Sequence, residues 1–122
     1  MDIYQEQILE HYKEPHHFGE LANASYTRHE VNTSCGDDFT FFIHVTDAGI
    51  IDAVGFTGQG CAISTAAASL LADDINHKPL AAVLEYSSDV MLNLLGIPLV
   101  PTRLKCALLP LQAVTRITQP PL

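Results

Sequence analysis

Positive charge is scarce in this sequence. Its 122 residues carry 6 Lys and Arg against 14 Asp and Glu, a formal net charge of −8 at pH 7. No basic patch is visible, which argues against nucleic acid as a partner and against an anionic membrane surface. No apolar run reaches the roughly 18 residues that a membrane-spanning helix needs, so no span is expected. The opening Met1-Asp2-Ile3-Tyr4-Gln5-Glu6 lacks the basic and apolar regions of a secretory signal. Cysteine is sparse and odd in number, with 3 thiols. A secreted fold would leave one of them unpaired, so an intracellular, cytoplasmic setting with reduced thiols is the expectation. There is no internal repeat and no low-complexity segment.

What is present suffices for one core. Hydrophobic residues make up 48% of the chain, and the length fits a single domain over residues 1–122. Asp2 is a plausible N-cap, and Ile3, Tyr4, Ile8, Leu9 and Tyr12 follow helical spacing, so a helix is predicted from Ile3 to Tyr12, ending before Pro15. Pro15 to Gly19 reads as a turn, and its neighbours His16 and His17 as a solvated surface pair. Tyr26–Val31 is a weak strand pattern. Asp38–Thr46 is a strong one, with Phe39, Phe41, Ile43 and Val45 on one face and His44 on the other. Asp47-Ala48-Gly49 is a hairpin turn, and Ile50–Thr57 returns as the next strand. After Gly58-Gln59-Gly60 the composition shifts to an Ala- and Ser-rich helix from Ala62 to about Asn76, packed on the sheet. Further helices are predicted over Leu80–Leu95 and Arg103–Ile117, joined by an extended Gly96–Pro101 linker. Pro110 should kink or shorten the last helix, and Pro120-Pro121 should end the order. The fold class is therefore α+β, a small antiparallel three-stranded sheet packed against helices.

The chemistry gathers around Asn32-Thr33-Ser34-Cys35-Gly36-Asp37. Gly36 can take backbone angles closed to other residues, so the Cys35 thiol and the Asp37 carboxylate can turn to one point, a pairing that suits zinc. Cys61 falls at a helix start, where the helix dipole favours thiolate. Cys106 follows Arg103-Leu104-Lys105, with two cations close by. Three unrelated buried cysteines are the ordinary alternative. If Cys35, Asp37, Cys61 and Cys106 held one zinc ion, the ligands would exceed its charge by about two, which Lys105 and Arg103 could offset.

Taken together, Cys-Gly-Asp, then Gly-Cys-Ala-Ile-Ser opening an Ala/Ser-rich helix, then Arg-Leu-Lys-Cys near the end resemble the IscU/SufU (NifU N-terminal domain) iron–sulfur assembly proteins. Ile8-Leu9-Glu10-His11-Tyr12-Lys13-Glu14-Pro15 is similar to the opening helix of that family. The resemblance spans nearly the whole chain. It implies an α+β scaffold, without enzymatic activity of its own, that gathers its cysteines at one end. Cys35, Asp37, Cys61 and Cys106 would hold zinc or a [2Fe–2S] cluster. Sulfur would come from a cysteine desulfurase, and cluster or sulfur would pass to recipient apoproteins.

Two departures divide the family's branches. Lys105 stands where IscU-type members carry His, which is closer to the SufU branch and to a zinc-dependent sulfurtransferase with Cys35 as sulfur acceptor. Yet Leu95–Thr102 is short, as in IscU, where SufU members carry an insertion. Leu99-Val100-Pro101-Thr102-Arg103 is a poor echo of the segment IscU proteins present to a dedicated chaperone, so that partner is not expected.

Overall fold

The computed structural model describes residues 2–120, so Pro121, where order was expected to end, lies outside the described residues. The element order is α1 (Ile3–Lys13), β1 (Tyr26–Asn32), β2 (Asp37–Val45), β3 (Ile51–Gln59), α2 (Ala62–Ile75), α3 (Leu80–Leu84), α4 (Ser88–Leu95) and α5 (Pro101–Thr115). The strands form one antiparallel sheet in the order β1-β2-β3. Helix α1 starts as its sequence specifies. The Asp2 side chain accepts from the Gln5 N–H at 2.8 Å, and the Gln5 side chain reaches back to the Asp2 N–H, closing a capping box.

Strand β2 explains the core. Its burial alternates strictly from its first residue, with Asp37, Phe39, Phe41 and Ile43 all buried. Phe41 stacks on Phe56 of β3 with ring centroids 5.5 Å apart, and Phe39 meets Phe56 edge-on at 6.0 Å. The strand begins one residue earlier than the aromatic run suggests. That single residue places Asp37 in phase with the phenylalanines, so a carboxylate enters the core face.

Helix α2 is the central element, packed on α1, α4, α5 and β3 together. Ala66, Ala67, Ala68 and Ala72 are fully buried along it. Their small side chains let helices approach from several directions, so α2 does more than cover the sheet. The expected Leu80–Leu95 helix is two helices. Its chain turns at Glu85-Tyr86-Ser87, where the Tyr86 hydroxyl donates to Asp74 Oδ2 at 2.5 Å and accepts from Lys78 Nζ at 3.0 Å. That anchor on α2 breaks the helical run. Gly96 closes α4 in the left-handed conformation, with φ 71°.

Helix α5 starts earlier than expected, with Pro101 in its first turn, where a missing N–H costs nothing. Pro110 does not shorten it: the helix runs through to Thr115. Proline has no N–H to give the carbonyl four residues back, and that carbonyl belongs to Cys106.

Among the described residues, no helix is long and apolar enough to cross a membrane.

Candidate metal centre

Cys35 sits at the tip of the β1–β2 hairpin, whose last and first paired residues are Asn32 and Asp37. Asn32 organises this tip. Its carbonyl accepts from the N–H groups of Cys35 at 3.3 Å and Gly36 at 2.9 Å, and its Oδ1 accepts from the Ser34 N–H at 3.2 Å. Asn32 Nδ2 donates to the Cys35 sulfur at 3.5 Å. Gly36, with φ 73°, makes the left-handed turn that lets an exposed Cys35 and a buried Asp37 face one point.

Asp37 is fully buried, and its two oxygens have different fates. Oδ1 accepts from the Cys61 N–H at 3.1 Å and from the Ser64 hydroxyl at 3.0 Å. Oδ2 is buried without a hydrogen-bond partner. Such an atom costs about 1–3 kcal/mol if nothing compensates it, so it marks a place for a cation. Gly60 makes room for this arrangement. A Cβ there would run into Ser64 Oγ, 2.6 Å from Asp37 Oδ1 and 3.0 Å from the Phe39 ring.

Cys61 is the N-cap of α2, and its sulfur accepts from the Ser64 N–H at 3.4 Å. Burial raises this thiol's pKa, but the hydrogen bonds from Ser64 and the Cys106 thiol outweigh it, so the net shift is below the ordinary cysteine value. Cys106 behaves oppositely. Burial, then its contacts with the Cys35 thiol and the Asp37 carboxylate, push it well above the usual range. Without a metal, Cys61 therefore gives up its proton more readily than Cys106.

Arg103 lies three residues before Cys106, on the same face of α5. The charge of Cys61, then contacts with the Cys106 and Cys61 thiols, raise its guanidinium pKa. Lys105 neighbours Cys106 in sequence and is exposed, but it lies about a third of a helical turn from Cys106 rather than on the same face. Among the described residues, Arg103 is the cation that interacts with the Cys61 and Cys106 thiols.

The structure brings one ligand atom each of Cys35, Asp37 and Cys106 within 4.8 Å of one another. Cys61 stands outside that tight trio and meets it through Cys106 and through its N–H to Asp37. Sequence reasoning missed Ser64 and Gly60. Ser64 had a signal: Cys61-x-x-Ser64 is the spacing of an N-cap and the residue whose N–H it caps. Gly60 had none, because its need comes from a carboxylate 23 positions earlier in the chain. His44 pairs with Asp52 away from this site, as its position on the opposite strand face suggests. His16 and His17 are more than a solvated pair, since both bond Asp73 of α2.

A protein-family model described as the NifU-like N terminal domain matches residues 3–118. The zinc-dependent sulfurtransferase SufU of Bacillus subtilis is 31% identical, over 93% of this chain and 88% of that protein. That alignment runs over 131 positions, more than this chain contains, so SufU carries residues that this chain lacks. The iron–sulfur cluster assembly scaffold protein IscU of Aquifex aeolicus is 30% identical, over 91% of this chain and 71% of that protein. Among solved structures, a putative scaffold protein for the SUF system from Fervidobacterium islandicum superposes with a TM-score of 0.75 at 29% identity, covering 89% of this chain and 91% of that one.

Proposed function

The chain belongs to the NifU-like N-terminal domain family, and from that premise we propose that it is an iron–sulfur cluster assembly scaffold whose site is Cys35, Asp37, Cys61 and Cys106. A scaffold works with sulfur donors and cluster recipients. The donor proposed here is a cysteine desulfurase, and the recipients are apoproteins.

The observation that carries this reading is buried Asp37, with Oδ2 orphaned and a carboxylate oxygen within 4.8 Å of the Cys35 and Cys106 thiols. Thiolates with one carboxylate fit iron or zinc. The carboxylate is the harder and weaker ligand to such ions, which suits cargo that must be released. Arg103 offsets part of the excess negative charge. Helix α2 and strand β2 hold Cys61 and Asp37 firmly, while Cys35 rides on a hairpin tip.

The net charge of −8 supports docking on a basic surface of the desulfurase, and added salt should then weaken the complex. The test is anaerobic incubation with a cysteine desulfurase, cysteine, reductant and ferrous iron. An iron–sulfur charge-transfer band that grows, and is lost in Cys106→Ser, is the expected result. A protein that builds no band is not a scaffold.

A second reading, sulfur relay, is favoured by one observation: Cys35 is exposed while Cys106 is buried. The Cys35 thiolate would attack the terminal sulfur of the donor's persulfide. A new S–S bond forms at Cys35, the donor's own S–S bond breaks, and the donor cysteine leaves as thiolate. Zinc fits the same donor set, where it would hold the thiols deprotonated. Faster desulfurase turnover without any iron–sulfur band, abolished by Cys35→Ser, would select this reading.

A further inference from the structure

A second cluster of ligand-type side chains lies where α1 and the turn after it meet the far half of α2. Asp73 is twelve residues along α2 from Cys61, about 18 Å at the helical rise, so this cluster is separate from the thiols. His11 is buried, with Nδ1 2.6 Å from Ser69 Oγ. The His16 N–H donates to the same Ser69 Oγ at 2.7 Å. His16 Nδ1 lies 2.6 Å from Asp73 Oδ2, and His17 Nε2 lies 2.9 Å from Asp73 Oδ1. The His11 and His16 rings are 4.3 Å apart, centroid to centroid.

Adjacent residues on a turn do not ordinarily converge. Here they do because His17 takes a left-handed backbone conformation, with φ 64°. That conformation is strained for a non-glycine residue and persists only where surroundings enforce it. Two bridges do so: Gly19 N–H to the Phe56 carbonyl at 2.7 Å, and Phe56 N–H to the His17 carbonyl at 3.1 Å. A clamp between α1 and α2 would need only one histidine on Asp73. It would not need a third imidazole, buried and set against the second.

We propose that His11, His16 and Asp73 form a second metal site, for a zinc-class divalent transition ion, with His17 orienting the carboxylate. One ligand atom of each of the three lies within 4.8 Å of the others. Two imidazoles and a carboxylate select zinc, cobalt, nickel or copper over magnesium or calcium. A proton on His11 Nδ1, donated to Ser69 Oγ, leaves Nε2 free as a ligand. That hydrogen bond is the outer-shell support that metal-bound histidines use, and His17 gives Asp73 the same support from its other oxygen. Three ligands leave a fourth position for water or a small anion.

The test is anaerobic titration of the full chain with Co²⁺, read by visible absorption and bound-metal analysis. Wild type should take up two ions per chain, one with intense thiolate charge transfer and one with weak ligand-field bands only. Asp73→Asn and His16→Gln should each lose the second ion and keep the first. Cys106→Ser should show the reverse pattern, which separates this site from the proposed assembly site. Far-UV circular dichroism checks that each variant is folded. His16 is exposed, so its substitution tests the site even if Asp73→Asn loosens α1. Uptake without thiolate absorption that persists undiminished in both His16→Gln and Asp73→Asn, or no such uptake in wild type, would overturn the proposal.

Discussion

The backbone N–H of Cys61 donates to the buried carboxylate of Asp37 at 3.1 Å, tying the first turn of α2 to the first residue of β2. The same oxygen takes the Ser64 hydroxyl, while the other oxygen is buried with no hydrogen-bond partner. Asp37→Asn keeps an acceptor for Cys61 and Ser64 and replaces the orphaned oxygen with a donor facing sulfur. The metal-free variant is expected to be more stable than wild type, by about 1–3 kcal/mol if the orphan's full cost is recovered. Zinc binding should weaken at the same time. Urea unfolding with chelator present, alongside zinc titration, checks both; a less stable metal-free variant would contradict this account.

The floor of the site depends on a missing side chain. Gly60→Ala forces a methyl against Ser64 Oγ, Asp37 Oδ1 and the Phe39 ring. The neighbours are buried and cannot move aside, so a loss of about 1–3 kcal/mol is expected, as for other overpacked cores. Metal content on isolation should fall too, because the methyl presses on both the Asp37 carboxylate and the Ser64 hydroxyl that holds it. Thermal unfolding and metal analysis of this variant measure the two effects.

How far this could be read from the chain depends on where each constraint lies. The cap at Asp2, the β2 face and the Cys61 helix start are local patterns, and each appears where the residues place it. Asp37 is legible in kind but its burial is not, because the alternating aromatic pattern begins only after it, while the strand itself begins at Asp37. The break at Tyr86 and the choice of Arg103 over Lys105 are tertiary. The first needs Asp74 on another helix, and the second needs the helical phase of α5 against α2. The convergence of His16 and His17 rests on a backbone angle that composition does not announce.

The opposite environments of two thiols give a kinetic signature. Cys61 is half-buried with a pKa moved below its ordinary value, and Cys106 is buried with its pKa pushed up. In the metal-free protein, iodoacetamide should label Cys61 at lower pH than Cys106. Arg103→Ala should shift Cys61 labelling to higher pH, because its thiolate loses a neighbouring cation, while Lys105→Ala should leave it in place. Mass spectrometry of each peptide across a pH series reads this order. Labelling of Cys106 first would contradict it.

His11 ties stability to pH. Burial, then the neighbouring His16, lower its pKa below the usual 6.5, while Asp73 and Glu10 pull the other way without cancelling the shift. The unfolded chain therefore binds this proton more readily than the fold does, so stability rises with pH over that interval. The contribution is fully present above about pH 6.5 and is lost as pH falls toward the folded value, with a slope of at most about 1.4 kcal/mol per pH unit. His16, His17 and Asp73 face the same cluster, so the wild-type curve alone does not isolate His11. The comparison with His11→Gln does, since glutamine can still meet Ser69 but cannot take the proton. With chelator present to remove bound ions, wild type should lose more stability than His11→Gln on acidification from about pH 8 to about pH 5. Parallel curves for the two proteins would mean that His11 is held no differently in the fold than in the unfolded chain.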